Sequence, residues 1–358
     1  MYRLTVRFLF VSLCLGLSAC GGDSAGELDL DNRASGQQDL PPGLVIEQFA
    51  VDATAVQAAA PPSAGKTEIT NPPGLLGYYA GSAPTVLVVF AHGLNHNVVD
   101  HWTQYIIRTT REDVATVTSD YRDNLQFPIL RGAHDIIAAT LYAKERFPTI
   151  ETVYMLGVSM GGAVSGTAIA ESVHVTEDGS GLYDYWVALE PLTNLLEAYF
   201  EAAGVLPEVA ANMEEDAGGS PLTNPQAYQR RSPALRAQDI AASGVRAVAI
   251  IQPVNDGLVG YNQAHEMALG LLLAGVPVQT TTVLRHAEGQ DPGTELIQLL
   301  TDTAGLPDPN DQLRLAGHAD EADAAHPVMR HGFEILEQLL DGVYDETLPF
   351  MEHVLDDG

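Results

Sequence analysis

Cysteine is absent from the body of this chain: its two copies, Cys14 and Cys20, both lie at the extreme N-terminus. A disulfide framework, a thiolate zinc site and a cysteine nucleophile are therefore excluded beyond that point. Basic residues are scarce as well, with 17 Lys plus Arg against 47 Asp plus Glu and a formal net charge of −30. Lys66 and Lys144 are the only lysines. A body this acidic repels phosphate backbones, which excludes nucleic acid as a partner, and it is repelled by anionic membrane surfaces. Past the N-terminus no segment has the ~18 consecutive charge-free apolar residues of a membrane span. No internal repeat is visible. What is present is ordinary globular material: 358 residues, 46% hydrophobic and 18% charged, with 33 Gly and 21 Pro. That is enough chain to bury a large core without a disulfide or metal staple, and disorder over the whole length is excluded.

Residues 1–20 read MYRLTVRFLFVSLCLGLSAC. Arg3 and Arg7 precede a short apolar run, Phe8 to Leu17, and small residues lead into Cys20. The ending Leu17-Ser18-Ala19-Cys20 resembles the bacterial lipoprotein box. That resemblance implies a signal peptide over 1–19, a lipidated Cys20 as new N-terminus, and a place in the bacterial cell envelope. A plain secretory signal cut after Ala19 is the alternative. Residues 20–43, rich in Gly, Asp, Ser and Pro, read as a flexible tether. Residues 44–358 are expected to form one domain.

Leu44–Val51 and Leu75–Tyr79 are candidate early strands. From residue 84 apolar runs suited to buried parallel strands recur: Thr85–Ala91, Val114–Thr118, Thr152–Leu156, Tyr185–Leu189, Val245–Gln252 and Val278–Leu284. Helical stretches fall near 132–147, 160–173, 259–274 and 327–341. Such alternation predicts an α/β domain with a mostly parallel sheet. Residues 190–235 interrupt it and read as a cap-like helical insertion. Leu195, Leu196, Tyr199 and Phe200 within it suit either core packing or an acyl-chain site. Residues 287–313 are a second interruption.

Gly157-Val158-Ser159-Met160-Gly161 fits G-x-S-x-G. The pattern alone is weak, and a second match at 22–26 falls in the tether. Context separates the two. Ser159 follows the strand TVYML and precedes the small-residue helix GGAVSGTAIA, the strand–turn–helix arrangement of a nucleophile elbow. Flanking glycines leave room for its sharp turn, and Gly162, Ala163 and Gly166 let the helix approach the sheet. The helix N-terminus then aims backbone N–H groups at a reacting carbonyl oxygen.

The strand TVLVVFA runs into His92-Gly93-Leu94-Asn95. The backbone N–H groups of Leu94 and Met160 are the expected oxyanion donors, with His92 structural. His92, His96 and His101 lack the pattern of a metal site. Asp256, just past a late strand, is the expected acid, and Glu190, after YWVAL, is the alternative. The base must follow Asp256 in the order Ser…Asp…His. His318, in the step LRLAGH before a final helix, is preferred; His286 and His326 are the alternatives.

On these motifs residues 84–342 resemble an α/β-hydrolase: the AHG loop, GVSMGG, Asp256 after a late strand, and Gly317-His318. The resemblance implies a mostly parallel eight-stranded sheet flanked by helices, and serine acyl transfer without a cofactor. Residues 218–278 are similar to the catalytic domain of prolyl-oligopeptidase serine peptidases. Two departures stand out. Gln252-Pro253 replaces the His-Gly usual before the acid-bearing turn, and the residues before the core leave no room for a β-propeller. The second weakens the peptidase reading and favours an esterase acting on small or accessible esters. A peptidase or amidase with the same triad is the alternative. The reading from another class is a non-catalytic surface lipoprotein that kept the scaffold for binding.

Overall fold

The computed structural model describes residues 40–66, 71–94, 96–99, 101–108, 110–122, 127–205, 207–253 and 259–283. Its strands are β1 (Leu44–Ala50), β2 (Pro73–Tyr79), β3 (Val86–Ala91), β4 (Val114–Ser119), β5 (Thr152–Val158), β6 (Tyr185–Leu189), β7 (Ala247–Pro253) and β8 (Val278–Val283). The helices among the described residues are α1 (Thr54–Ala59), α2 (His101–Arg108), α3 (Ile129–Arg146), α4 (Met160–Glu171), α5 (Leu195–Val205), α6 (Pro207–Ala217), α7 (Pro225–Arg230), α8 (Ala237–Ala242) and α9 (Tyr261–Leu273).

The strands make one sheet in the order β1-β2-β4-β3-β5-β6-β7-β8. β2 runs antiparallel to both β1 and β4, and every other neighbouring pair is parallel. This is the mostly parallel eight-stranded sheet that the sequence predicts. Parallel strands are covered on both faces, so they read as unbroken apolar runs rather than alternations. All five residues of β6 are buried. Tyr185, Val187 and Leu189 pack on one face with Tyr154 and Leu156. Trp186 and Ala188 pack on the other with side chains of α3, α4 and α9.

Boundaries differ in detail. The helix expected over 132–147 begins three residues earlier, at Ile129, directly after Pro128. α4 gives way to a 3-10 turn at Ser172–His174. The helix expected over 327–341 lies outside the described residues.

Residues 190–235 hold α5, α6 and α7. Leu195, Met213, Ala217 and Tyr228 are buried in the main core, and Leu196 and Tyr199 pack against it. Only Phe200 of the four apolar residues singled out above faces solvent, at 54% exposure. Two buried ion-pair groups fasten this insertion to the helix layer. Asp216 lies between Arg131 of α3 and Arg231 just after α7, with Arg Nε atoms at 3.3 and 2.7 Å. Glu171, at the end of α4, is held by Arg230 at 2.6 Å and Arg236 at 2.7 Å.

His134 of α3 faces this second group, 4.0 Å from Glu171. Burial holds its imidazole below the ordinary value, against the opposing pull of Glu171 and with a further push from Arg122 and Arg230. A histidine with a depressed folded-state pKa takes up protons more readily when unfolded. Its contribution is complete above about pH 6.5 and is lost as pH falls toward the folded value. His134→Gln is therefore expected to melt with less loss than wild type on going from pH 7 to pH 5. Thermal melts across that range check it, and equal losses in the two proteins would refute it.

Candidate active site

β5 ends at Val158, and Ser159 stands between it and α4. Its backbone has φ 54° and ψ −121°, a region that residues with a Cβ rarely occupy. Holding it there costs on the order of 1–3 kcal/mol, so the surroundings must enforce it. They do so through hydrogen bonds. The Ser159 N–H donates to Leu189 O at 2.9 Å, and its carbonyl accepts from Leu192 and Gly162 at 2.9 and 2.8 Å. Ser159 is the N-cap of α4, yet its side chain makes no capping hydrogen bond. A serine at this position ordinarily caps; here the hydroxyl is left to other use. The residue is 8% exposed.

The helix that follows is pressed onto its neighbours. A Cβ on Gly161 would lie 2.0 Å from Ala91 O and 2.6 Å from His92 O. One on Gly162 would lie 2.5 Å from Pro191 Cβ. The His-Gly loop abuts the elbow from the β3 side, because a Cβ on Gly93 would be 3.5 Å from Ser159 Cβ. Leu94 is in the turn that leaves this loop, and Met160, 2% exposed, is the first residue of α4.

His92 is 1% exposed and stacks on Tyr121, with ring centroids 4.0 Å apart. Its Nδ1 is 2.9 Å from Gly93 O, and its Nε2 is 3.9 Å from Asp120 Oδ1. Burial, with Asp120 beside it, raises the Tyr121 phenol well above its ordinary value. It keeps its proton and donates a hydrogen bond to His92 O at 2.9 Å. Asp120 also accepts the Val98 N–H at 2.6 Å. His92 thus holds the loop, as the sequence predicts.

Glu190 follows β6 at the same sheet edge. It is 1% exposed, has φ 47°, and its N–H donates to Ile251 O at 2.7 Å. This strain escapes sequence reasoning, because an ordinary Glu-Pro pair signals only an extended residue before proline. Gln252, 2% exposed near the end of β7, donates from Nε2 to Val259 O at 3.2 Å. Asp256, His286, His318, His326 and Cys20 lie outside the described residues.

No family model matches the sequence, and no curated protein matches it. Solved structures do. The acylaminoacyl peptidase of Pyrococcus horikoshii, in its orthorhombic crystal form, gives a TM-score of 0.50 at 13% identity, over 76% of this chain and 40% of that one. A puromycin-hydrolyzing peptidase of Mycobacterium tuberculosis gives 0.49 at 18% identity, over 73% of this chain and 39% of that one. An esterase of the bacterial hormone-sensitive lipase family gives 0.48 at 18% identity, over 78% and 87%. This chain spans less than half the length of the two peptidases. At such identities the likeness concerns the fold. Together with the strand order and the strained serine between β5 and α4, it defines the class: the chain has the α/β-hydrolase fold.

Proposed function

We propose that this chain is a serine hydrolase that cleaves carboxylic esters through an acyl-enzyme. The observation that carries the reading is Ser159, strained at φ 54° between β5 and α4, with a hydroxyl that does not cap the helix. Ser159 Oγ attacks the acyl carbon, and the base, His318 with His286 as alternative, takes its proton. Asp256 orients the imidazole and balances the charge it acquires. The Leu94 and Met160 N–H groups receive the oxyanion; losing one such donor costs about 3 kcal/mol of transition-state stabilisation. The base then protonates the departing alcohol, and water activated by the same imidazole releases the acid. The cycle moves protons and an acyl group and needs no cofactor.

The similarity of residues 218–278 to prolyl-oligopeptidase catalytic domains supports a second reading, a peptidase or amidase with the same triad. Rates on matched ester and aminoacyl-amide substrates separate the two. Acylation of Cys20 would tie the domain to a membrane of the bacterial envelope through the 20–43 tether, against the repulsion of its own charge.

The test is reaction of the purified protein with a fluorophosphonate, followed by mass mapping. The adduct is expected on Ser159. Ser159→Ala should abolish it and lower ester hydrolysis at least ~1,000-fold while leaving the fold intact. Of His318→Ala and His286→Ala, the one that loses the adduct identifies the base. A well-folded wild-type protein that takes no label, or a Ser159→Ala variant that hydrolyses esters at the wild-type rate, would refute the reading.

A further inference from the structure

A planar trans peptide points its carbonyl oxygen and its N–H in opposite directions, so a bond that fixes the one aims the other. The Leu94 N–H belongs to the peptide that begins at the Gly93 carbonyl. That carbonyl is held: His92 Nδ1 lies 2.9 Å from its oxygen, and the His96 N–H donates to it at 3.4 Å. A carbonyl oxygen only accepts, so Nδ1 carries the proton of the first bond. The same stretch of chain passes Ser159, since a Cβ on Gly93 would lie 3.5 Å from Ser159 Cβ. Among the described residues neither the Leu94 N–H nor the Met160 N–H donates a hydrogen bond, as suits two donors kept for an oxyanion.

The aim of Leu94 therefore depends on where the His92 ring stands, and Tyr121 sets that position. Its ring stacks on the imidazole with centroids 4.0 Å apart and planes at 16°, and its hydroxyl donates to His92 O at 2.9 Å. One side chain thus grips both the ring and the main chain of His92. Tyr121 is fixed in turn. It is 2% exposed, and Gly132 of α3 backs it so closely that a Cβ there would lie 3.0 Å from Tyr121 Cγ. Glycine inside a helix is unfavourable, and here it makes the room that the ring occupies. Asp120, one residue earlier, accepts the Val98 N–H at 2.6 Å and donates its own N–H to Pro73 O of β2 at 2.9 Å. Two consecutive residues after β4 hold the loop from His92 to Val98 at both ends.

Stacking alone would be served by phenylalanine. The hydroxyl is what ties the ring to the main chain of the loop. We infer that Tyr121 is a positioning residue of the oxyanion hole: through His92 it fixes the Gly93–Leu94 peptide, so that the Leu94 N–H faces the acyl oxygen of a substrate held at Ser159. Tyr121 touches no substrate atom and transfers no proton. The inference rests on the serine-hydrolase reading and is independent of which histidine is the base.

The experiment compares wild type, Tyr121→Phe, Tyr121→Leu and Tyr183→Phe by hydrolysis of p-nitrophenyl acetate, by affinity for a trifluoromethyl ketone and by thermal melt. Ser159 Oγ adds to the ketone carbon and gives its proton to the base, which leaves an oxyanion in the hole; the affinity therefore reports the two N–H donors. Tyr183 is the control for a buried phenol that serves the fold alone. It is 3% exposed, lies just before β6 at the far end from Ser159, and bonds its hydroxyl to Thr140 Oγ1 at 3.1 Å. Tyr121→Phe is expected to lower kcat about 10-fold at an unchanged KM, short of the ~100-fold or more for removing an oxyanion donor outright, and to weaken the ketone by a similar factor. Tyr121→Leu, which loses the ring as well, should lose more of both. Tyr183→Phe should melt lower than wild type yet keep its kcat and its ketone affinity.

Wild-type kcat and ketone affinity in folded Tyr121→Phe would overturn the inference. So would a fall in kcat with no fall in ketone affinity, or equal losses in Tyr121→Phe and Tyr183→Phe, since either marks a brace of the fold. Those results leave the serine-hydrolase reading standing as long as wild type takes the fluorophosphonate at Ser159. A wild-type protein without label at Ser159 removes both.

Discussion

Replacing Asp216 with alanine is expected to destabilise the fold by about 3–5 kcal/mol, the range for leaving a buried charge without its partner. Asp216 is 2% exposed and faces two arginines, Arg131 and Arg231, which are 2% and 1% exposed. Arg231 Nε donates to its Oδ2 at 2.7 Å, while Arg131 Nε and Nη2 reach Oδ1 at 3.3 and 3.4 Å. Alanine removes one anion from between two cations that stay in place. Arg231 is fixed by further bonds, to Asp216 O at 2.8 Å and Ala227 O at 3.1 Å, so it cannot swing out to water cheaply. Denaturant melts measure the loss. Asp239→Ala is the control, since its pair with Arg236 is 57% exposed on the Asp239 side and worth ~0–1 kcal/mol. Asp216→Ala within 1 kcal/mol of wild type would mean that the insertion is held some other way.

Gly161→Ala is expected to injure both stability and the reactivity proposed for Ser159. The added methyl would sit 2.0 Å from Ala91 O and 2.6 Å from His92 O. Both are main-chain atoms at the end of β3, so no side chain can turn aside. Either α4 lifts away or the β3 end shifts, at a cost of about 3 kcal/mol or more. Each movement separates the His-Gly loop from the elbow, and with it the two N–H groups assigned to the oxyanion. A displacement near 1 Å is enough for a ~100-fold loss, so labelling at Ser159 should fall by at least that factor in protein that is still folded. Gly204→Ala makes the contrast. It is the penultimate residue of α5 with nothing within 4 Å of the added Cβ, and should stabilise by at most the helix-interior value of about 0.5–1 kcal/mol. Unchanged melting and labelling in Gly161→Ala would show that the elbow has slack.

The sheet was legible because its central strands are buried on both faces and spell uninterrupted apolar runs. β6 is the clearest, YWVAL with flanking polar residues. Helix starts were less legible. α3 begins at Ile129 because Pro128 and the positive φ of Phe127 set its entry, and NLQFPIL carries no capping residue to announce it. The short α1, within TAVQAA, and α2, HWTQYIIR, are harder to read; the first looks like linker, and the second, though Asp100 precedes it in the sequence, runs for only eight residues. Ser159 was legible because strand, turn and helix meet in five residues. The ion-pair anchors were not, since residues 131, 216 and 231 come together only through the fold. The strain at Glu190 was invisible for a different reason: local preference argues against it, and only the pairing of β5, β6 and β7 creates it.

The clasp between β6 and the elbow has a further consequence. The amides of Ser159, Glu190 and Leu192 are all spent on main-chain acceptors, two of them across neighbouring strands. The strained serine is therefore part of the sheet's own ladder and not a loop resting on it. It cannot relax by a local opening, because the bonds that would have to break are those that join β5 to β6 and β6 to β7. Loss of the elbow's geometry and melting of the sheet are then one event, with no stage at which the sheet survives and Ser159 has already gone slack.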